Sequence, residues 1–231
     1  MGVIGFYGQV YADFSGYSDI AIGSARLFGF RIKENFDKPY LTTNFQEYWN
    51  HWHISLSTWL RDYVYFPLGG NRQGPWQTYR NLFLTMFISG LWHGAAWTFV
   101  IWGAYHGVLL CVHRLWSRAG YRLPNWAGLL CQVFFTCVGY FMFRAESWRN
   151  MVDMMTAAIQ PITTMPNAAE WGALGLCTLL FGVEPLGSRL RRGFEVPVVG
   201  PMLRGVLIAV GITAVAIAKP AVTPDFVYFV F

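Results

Sequence analysis

Residues 81–113 read NLFLTMFISGLWHGAAWTFVIWGAYHGVLLCVH, and this stretch contains no Asp, Glu, Lys or Arg. A membrane span needs about 20 apolar residues. At about 1.5 Å per residue, one helix over the whole stretch would be about 50 Å long. That is too long for one upright span and short for two full spans with a turn. Because Gly90, Gly94, Gly103 and Gly107 interrupt the stretch, we expect a long tilted or broken helix, or one span joined to a re-entrant segment.

The composition of the 231-residue chain also points to a membrane. Hydrophobic residues make up 55% of the chain and charged residues only 13%, whereas soluble domains carry about 25% charged residues. This excludes a disordered chain and argues against a water-soluble enzyme. The net charge of +5 comes from scattered arginines, so we predict no nucleic-acid partner. The predicted fold class is all-α, a multi-pass transmembrane helical bundle with re-entrant or interfacial helices.

Other parts of the chain differ in how well they suit a span. Residues 123–143 form a charge-free run of the right length for one span. Residues 171–183 and 205–218 are charge-free but short, and residues 1–30 are apolar with two aspartates. Residues 31–79 mix charges with many aromatic side chains, which favours interfacial or half-buried helices over a span.

Motifs of soluble enzymes are missing from the sequence. It contains no HExxH, no GxSxG and no P-loop. Its four cysteines lie in apolar runs and form no CxxC pair, so we expect buried, unreactive thiols. We predict no metal site and no bound cofactor.

The histidines are the most informative polar residues. His93 lies in the middle of the charge-free stretch, where an ionisable group is costly and is therefore a functional candidate. A neutral imidazole accepts a proton near pH 7, as a general base must. The alternative is a structural histidine that donates to a carbonyl of a neighbouring helix, and position alone does not decide between the two.

The other four histidines carry weaker signals. His51 and His53 form a His-x-His pair without a third ligand at a standard spacing. Residues two apart on a helix face different directions, so at most one of the pair faces any given site. We interpret His106 as structural and His113 as interfacial.

Three blocks of sequence occur in an order that is typical of a known family. They are YADFSGYSDIAIGSARLFGFRIKENFDKPYL (residues 11–41), FQEYWNHWHISLSTWLRDYVYFPLGGNR (45–72) and NLFLTMFISGLWHGAAWTFVIWGAYHG (81–107). Together they resemble the membrane-bound O-acyltransferases, in the branch that includes the alginate O-acetyltransferase membrane subunit and the D-alanyl transfer protein of teichoic acids. The resemblance covers roughly residues 7–115.

The resemblance implies which residues act. The central histidine of the family falls on His93, and a second family histidine falls on His53. Around the second histidine, we predict that Trp49, Asn50 and Trp52 bind substrate. The negative charge on the carbonyl oxygen needs a donor, and the sequence does not choose among His53, Trp49 and Asn50. Near His53, His51 stands where relatives usually have arginine.

The resemblance also implies an activity and a location. The chain would be an O-acyltransferase, in particular an O-acetyltransferase, in the inner membrane of a bacterium. It would move an acyl group from a cytoplasmic thioester, such as acetyl-CoA or an acyl-carrier thioester, towards hydroxyls of an extracellular polysaccharide such as alginate. Membrane lipid and a periplasmic acetyltransferase would be its partners. Because family members are far longer, residues 1–231 would be one membrane-embedded domain lacking the family's N-terminal half.

Three alternatives remain open from the sequence. A transporter subunit that moves an acylated intermediate would use Asp13, Asp19 and His93 as relay or binding groups. A non-catalytic fragment would explain the short chain. A haem protein with two histidine ligands would explain paired histidines in apolar helices.

Overall fold

The computed structural model describes residues 2–160, which belong to one compact unit of the chain. All regular structure in this part is helical, as predicted. The elements are α1 (Gly2–Leu27), a 3₁₀ helix (Pro39–Leu41), α2 (Phe45–His51), α3 (Ile54–Leu60), a π-helical turn (Arg61–Tyr65), α4 (Pro75–His93), α5 (Trp97–Arg118), α6 (Asn125–Arg144) and α7 (Trp148–Ile159). The runs at 171–183 and 205–218 lie outside the described residues, so the single domain over 1–231 stays a prediction.

The long charge-free stretch is broken into two helices. α4 ends at His93 and α5 begins at Trp97. The two helices are antiparallel, because Gly90 meets Gly103 while Phe83, earlier in α4, meets Gly107, later in α5. A Cβ atom added at Gly103 would lie 2.9 Å from the Gly90 Cα atom. Glycine therefore allows the two backbones to touch, as small residues do between membrane helices.

The outward face of α6 is apolar, and its inner face includes buried polar side chains. Trp126, Leu130 and Phe134 recur every four residues and are exposed, Trp126 to 68%. Gln132 and Thr136 are buried, and the Gln132 amide donates to the Thr136 hydroxyl over 3.0 Å. Water would favour the opposite arrangement. Apolar side chains outside and polar side chains inside are typical of helices surrounded by lipid.

The same inverted pattern occurs in the α4–α5 hairpin. Thr85 and Ser89 of α4 are buried, whereas Leu91 of the same helix is exposed. On α5, Val108 and Val112 are exposed. Within residues 2–160, however, α6 alone passes a test of length and composition for crossing a membrane. The predicted run at 123–143 thus corresponds to a helix of span length.

The expectation of buried thiols is wrong for the described cysteines. Cys131 is exposed, and Cys111 and Cys137 are partly exposed. The reason is that an apolar run predicts burial inside the protein only when water surrounds the protein. In a membrane, apolar side chains can face the lipid. On α6, Cys131 follows Leu130 on the outward face, where lipid would surround it. Cys177 lies outside the described residues.

Residues 31–79 form short helices and turns, in agreement with the sequence. The first turn of α2 is capped by Asn44, whose Oδ1 accepts from the Glu47 amide over 2.9 Å. The Glu47 carboxylate accepts in return from the Thr43 amide over 2.9 Å. This reciprocal arrangement resembles a capping box. The predicted turn at Gly69–Gly70 is present, with both glycines at positive φ.

An aromatic core joins α1, the α2–α3 region and α6. Trp52 stacks on Tyr48, with 5.7 Å between ring centroids. Tyr140 of α6 contacts both Trp52, at 6.4 Å, and Tyr7 of α1, at 5.1 Å. Such ring pairs contribute roughly 0.5–1.5 kcal/mol each beyond the burial of their surface. This core fixes the position of the chain around residue 53.

Candidate active site

His93 is the last residue of α4 and lies at the break before α5. Its ring meets Trp102 of α5 edge-on, with centroids 4.9 Å apart, and Phe143 of α6, at 5.2 Å. Within residues 2–160 no group hydrogen-bonds to its ring nitrogens. The aromatic rings therefore fix the orientation of the imidazole and leave its nitrogens available to a substrate.

His53 reaches the same place from the other side of the fold. It is buried and lies between α2 and α3, and its ring meets Phe14 of α1 at 4.6 Å. The indole of Trp92 contacts both histidine rings. Its ring centroid lies 6.1 Å from that of His53 and 5.0 Å from that of His93. The structure thus brings the two predicted catalytic histidines together around one side chain.

A third histidine, His106, lies near His53 and His93, and these three residues form a histidine cluster. His106 of α5 is only 2% exposed, and its ring meets Trp102 at 4.8 Å and Trp49 at 5.2 Å. Its Nδ1 atom is buried and has no partner among the described residues. Trp102 contacts His93 as well. The structural role of His106 stays a prediction, and the fold places the Trp102 ring between the His106 and His93 rings.

The three predicted substrate-binding residues have different surroundings. Trp49 packs against Trp102 and His106, and its indole N–H is buried without a partner in the described part of the chain. Asn50 is exposed and lines a cavity. Trp52 is buried in the aromatic core. Trp49 is therefore the member of this group with a free donor beside the histidine cluster.

A cavity of about 560 Å³ lies between the α2–α3 region and the α4–α5 hairpin. This size is in the range of small-molecule sites. Its lining includes the basic side chains of Arg61, His113 and Arg114, and Trp49 forms part of its wall. The remaining lining residues are Gln46, Asn50, Ile54, Ser57, Thr58, Leu60, Tyr65, Asn71, Leu82, Thr85, Met86 and Leu110. Because the lining contains no carboxylate, the cavity suits an anionic ligand.

The two arginines of this cavity differ in their partners. Arg61 donates to both carboxylate oxygens of Asp62, over 2.8 and 3.2 Å. This hydrogen-bonded pairing lowers the pKa of the Asp62 carboxyl. Arg114, by contrast, has a buried Nε atom with no partner in residues 2–160. Arg114 is thus the less neutralised of the two positive charges.

The remaining polar candidates lie apart from this cluster. His51 faces Asp37, with 3.7 Å between the ring nitrogen and the carboxylate. On α1, Asp19 is exposed and Asp13 is partly buried. Residues 2–160 contain no group of three or more His, Cys, Asp or Glu side chains placed to share a metal ion.

Comparison with known proteins gives the chain a family. The sequence model of the membrane-bound O-acyltransferases matches residues 5–147. The chain belongs to the membrane-bound O-acyltransferase family. The family identification from the sequence is confirmed, and the chain is a membrane protein. His53, His93, His106 and the lining of the cavity all fall within the matched residues.

Several proteins similar to this chain carry names that describe acetyl transfer to alginate or to peptidoglycan. The chain is 45% identical to the probable alginate O-acetylase AlgI of Azotobacter vinelandii, over 78% of this chain and 37% of the relative. It is 50% identical to the probable alginate O-acetylase AlgI of Pseudomonas aeruginosa, over 78% of this chain and 35% of the relative. It is 41% identical to the peptidoglycan O-acetyltransferase of Helicobacter pylori, over 65% of this chain and 29% of the relative. The chain therefore matches only about a third of the length of these relatives.

Sequence reasoning missed residues whose role depends on folding. Trp102 and Phe143 hold His93 from two other helices, and no local pattern marks either of them. Trp92 directly precedes His93 in the sequence, and this adjacency is the only sequence signal that marks it. Arg114 directly follows the charge-free stretch. An arginine at such a boundary is typical of the edge of a membrane, so no sequence pattern indicated that Arg114 lines a cavity.

Proposed function

We propose that this chain carries the acyl-transfer site of a multi-pass O-acyltransferase in the inner membrane of a bacterium. It moves an acyl group, in particular acetyl, from a cytoplasmic thioester to hydroxyls of an extracellular polysaccharide such as alginate, directly or through a periplasmic acetyltransferase. The observation that carries this proposal is the meeting of His53 and His93 around Trp92. The names of the alginate and peptidoglycan relatives support the acetyl group and the polymer acceptor.

His93 acts as the general base in this reaction. Its imidazole takes the proton from the acceptor hydroxyl as the oxygen attacks the thioester carbonyl. The tetrahedral intermediate then collapses, the carbon–sulfur bond breaks, and the leaving thiolate takes the proton back from the imidazolium. The products are an oxygen ester and a free thiol, and His93 returns to its neutral form.

Trp49 supplies a hydrogen bond to the negative charge that develops on the carbonyl oxygen. Its indole N–H is buried without a partner in the described part of the chain and lies beside the histidine cluster. A donor held in place before the reaction stabilises an oxyanion without reorganisation. His53, on the other side of Trp92, contacts the acceptor.

Trp49→Phe tests this role because it removes the N–H and keeps most of the ring packing. We expect the kcat of acyl transfer to fall by about 10²-fold, the effect of losing one oxyanion donor. The measurement is the initial rate of ester formation with saturating donor. An unchanged kcat in this variant would exclude Trp49 as the donor.

The cavity beside Trp49 holds the carrier part of the donor. Acetyl-CoA and acyl-carrier thioesters both carry phosphate groups, and Arg61 and Arg114 line this cavity. Guanidinium groups bind phosphate by charge-assisted hydrogen bonds. No cofactor beyond this donor substrate takes part in the proposed reaction.

Arg114→Gln should weaken donor binding without changing the chemistry. Hydrogen bonds to charged groups contribute about 1.5–3 kcal/mol, so we expect the KM for the donor to rise by roughly 10–100-fold. Arg114→Lys keeps the charge and should lose less. Equal KM values for wild type and Arg114→Gln would place the donor phosphates elsewhere.

The acceptor is tested with labelled acetyl groups. Membranes that contain the full chain are incubated with a labelled acetyl thioester and with alginate, cellulose or peptidoglycan fragments in parallel. We expect hydroxylamine-labile label on alginate. Label on none of the three polymers, from a folded chain, would contradict direct transfer by this chain to this class of acceptor.

A further inference from the structure

The turn that carries His53 is held by a segment outside its own helices. The first amide groups of any helix lack partners inside that helix. At the start of α3 the His53 side chain does not cap them. Instead the Ile54 amide donates to the Asn35 carbonyl over 2.9 Å, and the Ser55 amide donates to the Asn35 side-chain Oδ1 over 3.2 Å. Asn35 thus caps a helix that begins about 20 residues later.

The backbone of this turn needs such support. His53 has φ 43° and ψ 54°, in the left-handed region that disfavours residues other than glycine. Residues in this region persist where their surroundings determine them. Asp37 supplies a second bond, because its amide donates to the His51 carbonyl over 3.1 Å. The segment Asn35–Asp37 therefore holds the turn on both sides of His53.

The same segment connects the turn to α1. The Asn35 Nδ2 group donates to the Ser18 hydroxyl over 3.2 Å. Phe36 packs on Phe14 with ring centroids 5.0 Å apart, and Phe14 packs on the His53 ring. Phe14 and Ser18 are four residues apart and therefore share one face of α1. One asparagine side chain links this face of α1 to the first turn of α3.

We propose that Asn35 is a positioning residue that keeps the His53 imidazole against Trp92, beside His93. This inference rests on the proposed function of His53. Asparagine suits the role because its amide accepts from Ser55 and donates to Ser18 at the same time. Without these bonds the turn relaxes out of the left-handed conformation, and the His53 ring moves away from its partners.

Three variants of the full chain in membranes distinguish the two hydrogen bonds of the Asn35 side chain, one with Ser55 and one with Ser18. Asn35→Ala removes both side-chain bonds. Asn35→Asp keeps an acceptor for Ser55 and removes the Nδ2 donor, so that only the Ser18 hydroxyl can donate across that contact. Ser18→Ala removes the second bond from the other side. Asn150→Ala is the matched control, because Asn150 is an exposed asparagine in the first turn of α7 and its side chain accepts from the Glu146 amide.

Two readouts are measured for each variant. The first is the steady-state rate of acyl transfer, separated into kcat and the KM for the donor. The second is the rate at which diethyl pyrocarbonate modifies His53, measured by mass spectrometry of the peptide, with His93 as an internal reference. This second readout reports the position of the ring whether or not the ring is catalytic.

For Asn35→Ala we expect kcat to fall by about 10²-fold, the effect of a displacement of about 1 Å in an active site, with the donor KM unchanged. The His53 modification rate should rise several-fold as the ring leaves Phe14 and Trp92. Asn35→Asp and Ser18→Ala should show the same changes more weakly, and Asn150→Ala should match wild type. If Asn35→Ala does not fold, these two milder variants decide the question.

Unchanged modification of His53 in all three variants would overturn the positioning role, whatever happens to kcat. Faster modification with an unchanged kcat would uphold the positioning role and contradict the proposed catalytic function of His53. The two failures are therefore distinguishable.

Discussion

Replacing His93 by glutamine should lower the rate of acyl transfer by about 10²–10⁴-fold, the usual contribution of a well-placed general base. Glutamine keeps a polar side chain of similar size between Trp102 and Phe143. Its amide, however, does not take a proton near neutral pH. The donor KM should change little, because the arginines that line the cavity are untouched.

The matched control is Arg149→Gln, which introduces the same side chain at an exposed position on α7. We expect its rate to equal wild type. Both variants are compared at equal amounts of inserted protein, with ester formation as the readout. A His93→Gln variant that keeps its rate in a normally inserted protein would show that another group takes the proton.

Gly103→Leu should destabilise the α4–α5 hairpin. A Cβ atom at this position would lie 2.6 Å from the Met86 carbonyl oxygen and 2.9 Å from the Gly90 Cα atom. Backbone atoms yield little, so the helices must separate. Overpacking of this kind costs typically 1–3 kcal/mol, occasionally more. Because Trp102 precedes Gly103, the contact between Trp102 and His93 should be lost as well.

Gly23→Leu on α1 is the control for this variant. An added Cβ atom there meets nothing within 4 Å, and leucine favours a helix more than glycine does. We expect thermal unfolding in detergent to begin at a clearly lower temperature for Gly103→Leu and at an unchanged or higher temperature for Gly23→Leu. Equal unfolding temperatures for the two variants would contradict the close helix contact.

Local patterns in the sequence predicted much of this fold. The charge-free stretch at 81–113 and its four glycines indicated a broken helix, and the structure shows the break after His93. The run at 123–143 corresponds closely to α6. Both predictions depended on residues near each other in the chain, where length and periodicity act directly.

The surroundings of the histidines could not be predicted in this way. The family resemblance selected His53 and His93, and their meeting around Trp92 depends on how α3 and α4 pack. A helix cap is normally sought within a few residues of the helix start. Asn35 caps α3 from a distant loop, and no spacing rule relates the two.

The tryptophans around His53 show the same limit. Trp49 and Trp52 are three residues apart and were predicted to bind substrate together. The fold turns Trp49 towards His106 and buries Trp52 against Tyr48 and Tyr140. The reason is that α2 ends between them, and Trp52 adopts an extended conformation. Their catalytic or binding roles stay predictions.

The most direct test of acyl transfer uses a thioester that carries one label on its acyl group and another on its carrier. The full chain is reconstituted in vesicles with an alginate acceptor, and both labels and free thiol are measured. We expect acyl label in ester linkage on the polymer and one free thiol per ester, with both products lost in His93→Gln. Movement of both labels together, without release of thiol, would contradict acyl transfer and show that the protein transports an intact thioester.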